Sequence, residues 1–396
     1  MKKIMAINAG SSSLKFQLLE MPEEIVIVEG IVERIGMGES IFTVKQNGIK
    51  DRRYGKIRNH SEAVQTLLDA LIERNILTSL DEIAGVGHRV VHGGEKFKDS
   101  VLIGDDVIKQ IEAVSDLAPL HNPTNLTGIL AFMEALPKAP EVAVFDTAFH
   151  QTMAPDAYMY STPYEWYEKY GIRKYGFHGT SHKYVAEKAA EFYGKDIKEL
   201  KIITIHVGNG GSLAAVKFGK CVDTSMGLTP LEGIPMGTRS GTIDPAIIEF
   251  IANKEGKSLK EITDILNKKS GYLGVSGLSS DARDLRDAQL EGNQRAILAI
   301  ELQNKKMADY VGSYFVYMGG VDIIVFTAGI GENSDETRQE VCERLSALGV
   351  KIDLQKNKVR SELREISTQD SQVKVLLVPT NEELVIARDV LRLSQK

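Results

Sequence analysis

Two arginines stand where arginine is costly. Arg89 lies inside the apolar run Val86–Val91, and Arg239 lies in the loop Pro235–Pro245 (PMGTRSGTIDP) between glycines. Burying an unpaired charge is prohibitive, so an arginine in an apolar strand, as Arg89 is, needs an anionic partner. A structural carboxylate such as Asp146, at the end of the run Val142–Asp146, is one partner for Arg89. A ligand carboxylate or phosphate, which a guanidinium fork grips in a bidentate way, is the other. Asp146 suits either holding an arginine or orienting a nucleophile. Seven of the eight histidines fall between His88 and His206, at the ends of apolar runs and in loops. Their spacing matches no compact metal-ligand motif, so the clustering points to a shared polar site and not to a histidine-bound metal.

Three Gly-rich turns follow apolar strands: Asn8–Ser13, His206–Ser212 and Thr327–Asn333. Glycine lets backbone N–H groups approach phosphate oxygens, and Lys15 follows the first turn as a charge partner. One such turn is usually only a hairpin; three in one chain favour nucleotide phosphates. The GxxxxGK[ST] loop is absent, since Ile251 stands where its first glycine belongs relative to Gly256-Lys257-Ser258. No GxGxxG opens a helix, and HExxH and GxSxG are missing.

The chain has 396 residues, enough for two domains. With 48 basic and 54 acidic side chains its formal charge is −6, which disfavours a general nucleic-acid binder. Cys221 and Cys342 form no CxxC, and a reducing compartment is the default. The opening apolar stretch is too short for a secretory signal, and no apolar run approaches the ~20 residues of a membrane span.

The patterning predicts strands at 4–7, 14–19 and 25–32, the last closed by Gly36 and Gly38, then a helix over 61–74 behind Ser61. Strands follow at 83–91 and 142–145. The second half repeats the order: strands at 202–207, 212–217 and 222–224, helices over 245–253, 258–268 and much of 284–317, a strand at 321–327, and a helix from near Ser334. Ser258 and Glu261 form a capping box. The halves divide near Pro155–Pro163, and a final helix covers 382–393. Aligning Ile7–Leu14 with Ile205–Leu213 needs one inserted residue, which suggests an internal duplication.

As a set, NAGSSSLKF (Asn8–Phe16), HRVVHGG (His88–Gly94), PLHNP (Pro119–Pro123), VFDTAFH, RKYGFHGTSH, HVGNGGS, DTSMGLTPLEG with PMGTRSGTIDP, GLSSDARD (Gly277–Asp284), FTAGIGEN and PTNEE (Pro379–Glu383) resemble the acetate kinase family over essentially the whole chain. The resemblance implies an α/β fold of two duplicated actin-like (ribonuclease H-like) βββαβαβα domains, 1–150 plus 383–396 and 151–382, with the active site in the cleft between them. It implies magnesium-dependent, reversible, in-line transfer of the ATP γ-phosphoryl group to acetate, giving acetyl phosphate and ADP, with manganese as a substitute ion. It also implies a cytoplasmic homodimer. Arg89 and Arg239 would grip the carboxylate and the phosphoryl group, Asp146 would be the active-site carboxylate, and His178 would bond the phosphoryl group in the transition state. Asn8 and Glu382 would organise the metal. Lys15, His206, Val207, Gly208, Asn209, Gly210, Asp281, Ala282, Arg283, Gly329, Ile330, Gly331, Glu332 and Asn333 would serve the nucleotide. Val91, Leu120, Phe177 and Pro230 would surround the substrate methyl. His121 and His182 lie in family motifs, His182 as loop support. Propionate and butyrate kinases are the alternatives within the resemblance. An actin- or Hsp70-like ATPase is the alternative outside it, and leaves Arg89 and Arg239 without a task.

Overall fold

The computed structural model describes residues 1–119 and 121–395. It divides into two units, Met1–Phe149 with Asn381–Lys396, and His150–Thr380. Leu120 lies outside the described residues.

In the first unit the strands are β1 (Lys2–Gly10), β2 (Ser13–Met21), β3 (Ile25–Glu33), β4 (Ser40–Gln46), β5 (Ile49–Gly55), β6 (Ile83–Val90), β7 (Val101–Leu102) and β8 (Glu141–Phe145). They form one sheet in the order β5-β4-β3-β2-β1-β6-β8-β7. β1, β2 and β3 pair antiparallel, whereas β1, β6 and β8 run parallel. The sequence reading ended this sheet edge at Gly36 and Gly38. Two further strands follow instead, because β5 is an exposed edge whose Lys, Asp and Arg side chains carry no apolar alternation.

In the second unit the strands are β9 (Lys201–Val207), β10 (Gly211–Lys217), β11 (Lys220–Thr224), β12 (Ile323–Thr327), β13 (Arg364–Glu365) and β14 (Lys374–Leu377), in the order β11-β10-β9-β12-β14-β13. The five-strand centre repeats the first unit: an antiparallel β9, β10 and β11, then β12 and β14 parallel to β9. The duplication suspected from two hairpins is therefore present in the topology.

Two other expectations change. The helical pattern over 284–317 is two helices, Ala282–Leu290 and Gln294–Met318. Gly292 takes φ +83° between them and the Asn293 side chain caps the second. Thr327–Asn333 is no open turn, since Ala328–Asn333 is a short helix entered through Ala328 at φ +65°.

One packing contact positions the first unit's polar site. On β6 the period of two puts Gly85, Gly87 and Arg89 on one face. On the helix Glu382–Leu393 the period of four stacks Glu382, Ile386 and Val390. The two rows match: a Cβ on Gly85 would lie 2.6 Å from Val390 Cγ1, and one on Gly87 would collide with Ile386. The missing side chains let the helix lie flat, which brings its first residue beside Arg89. Gly87→Val should lower stability by roughly 1–3 kcal/mol through overpacking. A denaturant midpoint equal to wild type would show that the helix can step back freely.

Candidate active site

In the first unit, Arg89 and Asp146 form a two-pronged ion pair: Nε to Oδ1 is 2.9 Å and Nη2 to Oδ2 is 2.7 Å. The structural partner left open by the sequence is thus occupied. Asp146 is 1% exposed, just past β8, and its N–H donates to Val90 O at 3.0 Å. Glu382 Oε2 lies 3.9 Å from Arg89 Nε. Burial pulls the Arg89 pKa down, but the charges of Asp146 and Glu382 outweigh it and the net shift is upward. Burial, with Asp146 and Glu383 nearby, raises the Glu382 pKa against the pull of Arg89. Lys15 pairs with Glu383. Asn8 sits near the end of β1, opposite Lys15 in the hairpin, and its side chain bonds no described residue.

The strand ends are tied by two asparagines of the helix Asn122–Ala135. Asn125 accepts from Val91 N–H at 3.1 Å and donates to Ala9 O at 2.8 Å, joining the ends of β6 and β1. Asn122 does the same with both backbone groups of His92, and Thr147 Oγ1 accepts from Gly93 N–H. Asn122, from the motif PLHNP, and Asn125 beyond it thus clamp the Val91–Gly94 loop, and Val91 is buried.

In the second unit, His178 has left-handed backbone (φ +55°), an uncommon state for a non-glycine residue, at the start of the helix Gly179–Phe192. Its ring stacks on His206 with centroids 4.1 Å apart. A Cβ on Gly210 would lie 3.6 Å from His178 Nε2 and 3.8 Å from Arg239 Nη1, so the two side chains converge on the space over Gly210. Arg239 donates to Pro230 O at 3.2 Å and meets no carboxylate among the described residues. Burial lowers its pKa. Phe177 is buried, and its carbonyl accepts from the His150 ring. Of the four residues assigned to the methyl pocket, Val91 belongs to the first unit and Phe177 and Pro230 to the second.

A cavity of about 650 Å³ in the second unit is lined by eight of the predicted nucleotide residues: Gly208, Asn209, Asp281, Ala282, Arg283, Gly329, Ile330 and Asn333. The two Gly-rich segments meet there: a Cβ on Gly208 would lie 3.5 Å from Gly329 N. Asp281 caps the helix Ala282–Leu290, and its hydrogen bonds with Arg283 hold its pKa down at about 2. His206, Val207, Gly210, Gly331 and Glu332 do not line the cavity. Glu332 instead accepts from Ala328 N–H at 2.9 Å and Thr380 N–H at 3.0 Å, holding the strained entry of the short helix.

The sequence reading missed Arg286 and Arg360, which also line the cavity. Arg286, one turn after Arg283, had a helical spacing to betray it; Arg360 lies in an irregular polar segment with no such signal. It also missed Arg338, fully buried, whose guanidinium donates to Gly331 O, Asn357 O, Val359 O and Asn357 Oδ1 at 2.6–2.9 Å.

These features define a class: a duplicated actin-like α/β protein with Gly-rich strand ends and a nucleotide-sized cavity. The family model for the acetokinase family matches residues 3–388. An acetate kinase of Geobacillus sp. (strain WCH70) is 60% identical over 394 residues, covering 100% of this chain and 99% of that one. The crystal structure of Porphyromonas gingivalis acetate kinase superposes with TM-score 0.95 at 46% identity, covering 99% of each chain. That of a propionate kinase from Francisella tularensis gives 0.94 at 43%, covering 99% of this chain and 100% of that one. The chain belongs to the acetokinase family.

Removing the clamp side chain, as in Asn125→Ala, leaves two buried backbone groups unpaired and should cost about 1–3 kcal/mol. Urea titration measures it, and an unmoved midpoint would mean that water replaces both bonds.

Proposed function

We propose that this protein transfers the ATP γ-phosphoryl group to acetate, reversibly, giving acetyl phosphate and ADP. The observation that carries the reading is Arg239: a desolvated guanidinium without a carboxylate partner, facing the same space as His178. Such a group gains most when an anion arrives. The acid matches the names of relatives about 60% identical over the whole chain.

Acetate, with a pKa near that of an aspartate or glutamate side chain (~4), is ionised at neutral pH. Its oxygen needs no general base. The difficulty is repulsion between this nucleophile and an anionic phosphate. Arg89 keeps Nη1 clear of Asp146 and holds the acetate carboxylate, while Asp146 fixes the fork. Arg239 and His178 hold the phosphoryl oxygens. The acetate oxygen attacks phosphorus in line, the bond from phosphorus to the β-phosphate bridging oxygen breaks, and ADP leaves with that electron pair. To the methyl group this reading assigns Val91, Leu120, Phe177 and Pro230. Asn209, Gly208 and Gly329 bring backbone to the nucleotide phosphates. Asp281, Ala282, Arg283, Ile330 and Asn333 flank the nucleoside. Lys15, His206, Val207, Gly210, Gly331 and Glu332 complete the nucleotide set, Glu332 as a support.

A divalent cation fits the donors. Asn8 and Glu382 offer hard oxygens, and no described group of three or more His, Cys, Asp or Glu makes a closed cage. That suits magnesium, which keeps waters and phosphate oxygens in its shell, with manganese as a substitute. When bound, the ion neutralises phosphate charge. Residues of both units serve one reaction, and we read the units as the two domains. Exposed Leu298, Leu302, Val316 and Tyr317 on the helix Gln294–Met318 supply an apolar face for a homodimer. The two free, buried cysteines suit a cytoplasmic protein.

The test is acetate-dependent ADP formation, with acyl phosphate trapped by hydroxylamine. Arg239→Ala should lose about 10³–10⁵-fold in turnover while folding normally; wild-type turnover in that variant would refute the reading. In Gly210→Ala the new methyl makes ordinary contacts with His178 and Arg239, 3.6 and 3.8 Å away, yet fills the phosphoryl space. Its melting temperature should stay near wild type while turnover falls at least ~10-fold, the loss expected for a slightly misplaced reacting group.

A further inference from the structure

His178 is held by a buried chain of hydrogen bonds. Its Nδ1 lies 2.8 Å from Ser212 Oγ, Ser212 Oγ lies 2.7 Å from His182 Nε2, and His182 Nδ1 lies 2.6 Å from Thr204 Oγ1. Local periodicity builds the chain. His178 and His182 are one helical turn apart, Thr204 and His206 share a face of β9, and Ser212 on β10 stands opposite His206. Ser212, His182 and Thr204 are fully buried.

A hydroxyl carries one proton. Ser212, between two imidazole nitrogens, donates to one and accepts from the other, so the tautomers of His178 and His182 are locked together. In one state Thr204 donates to His182 Nδ1, His182 Nε2–H donates to Ser212, and Ser212 donates to His178 Nδ1. The His178 proton then sits on Nε2. In the opposite state His178 carries its proton on Nδ1, and Thr204 must turn its own toward Ala214 O at 3.5 Å, the outer limit of a hydrogen bond. The first state keeps every hydroxyl proton on a short bond.

The two states differ over Gly210. With the proton on Nε2 a neutral ring donates to an anion there. With it on Nδ1 a lone pair meets the anion unless the ring takes a second proton. The surroundings oppose a second proton: Arg239 Nη1 faces the same space, the His206 ring is stacked at 4.1 Å, and His182 lies behind with His150 edge-on to it. Burial, with His150 and His206 adjacent, pushes the His182 pKa well below its ordinary value, which keeps it a neutral link.

We propose that Ser212 and His182 are positioning residues that keep the His178 proton on Nε2, so that a neutral imidazole donates to the transferring phosphoryl group. The inference rests on the role given to His178 above.

Nitrogen-15 histidine spectra of the full-length protein with ADP test it directly, with His178→Ala assigning the resonances. From about pH 6 to 8, where a free imidazole titrates, His178 should stay singly protonated with Nδ1 bare. A proton on Nδ1, or a persistent imidazolium, overturns the proposal whatever any variant does. Ser212→Ala should lower kcat about 10- to 100-fold, the usual loss for an outer partner that fixes a histidine. KM for both substrates should barely move, and the His178 signal should shift toward mixed tautomers. Wild-type rate and spectrum in Ser212→Ala, beside an inactive His178→Ala, would sink the relay alone. Normal turnover in His178→Ala would remove the relay and the role of His178 together.

Discussion

The constraint on which the second unit's site turns is a half-buried guanidinium, Arg239, with no carboxylate partner among the described residues. Two unit charges 4 Å apart interact by about 4 kcal/mol at an effective dielectric near 20. A missing partner is therefore a large deficit beside a typical net stability of ~5–15 kcal/mol. Arg89 escapes it through Asp146, 2.7 Å away. Arg239 has the Pro230 carbonyl and the Met236 sulfur, both neutral. Arg89 is already organised by its partner, whereas Arg239 is left with neutral acceptors alone among the described residues.

The two units carry opposite imbalances. Around Arg89 the first unit gathers the carboxylates of Asp146, Glu382 and Glu383 against Arg89 and Lys15. Three anions against two cations favour a further cation. Around Gly210 the second unit presents Arg239 with no anion. The raised pKa of Glu382 fits this picture: burial and the neighbouring carboxylates of Asp146 and Glu383 disfavour its charged form more than Arg89 stabilises it.

Much of this was legible in the chain because it rests on short-range rules. Two of the strand-turn units, Asn8–Ser13 and His206–Ser212, the period-two faces and the Ser258–Glu261 capping box follow from local pattern, and the capping box is present. What stayed hidden depends on contacts distant in sequence. The Thr327–Asn333 segment reads as a Gly-rich turn, but the Glu332 carboxylate holds Ala328 N–H and closes it into a helix. Arg338 sits in a strongly polar helix and looks like a surface residue. Only the chain at Asn357–Val359 wrapping over it makes it the largest fully buried side chain. The choice between Asp146 and a ligand for Arg89 was likewise undecidable from composition, because the parallel register of β6 and β8 brings the two together.

The duplication adds a constraint that neither repeat shows alone. The helix Gly179–Phe192 follows β8 in the chain yet belongs to the second unit, while the helix Glu382–Leu393 follows β14 and belongs to the first. Each lies on a central strand of its unit and delivers polar groups from its first turn: Glu382 beside Arg89, and His178 with Ser181 and His182 against β9 and β10. The helix Glu382–Leu393 thus covers Gly85 and Gly87 of β6 and brings Glu382 to Arg89 in the same contact. Gly85 and Gly87 tie these requirements to one another, since the surface that admits Ile386 and Val390 also sets where Glu382 stands. The packing of the helix and the geometry of the charged cluster thus rest on the same two positions, where β6 carries no side chain.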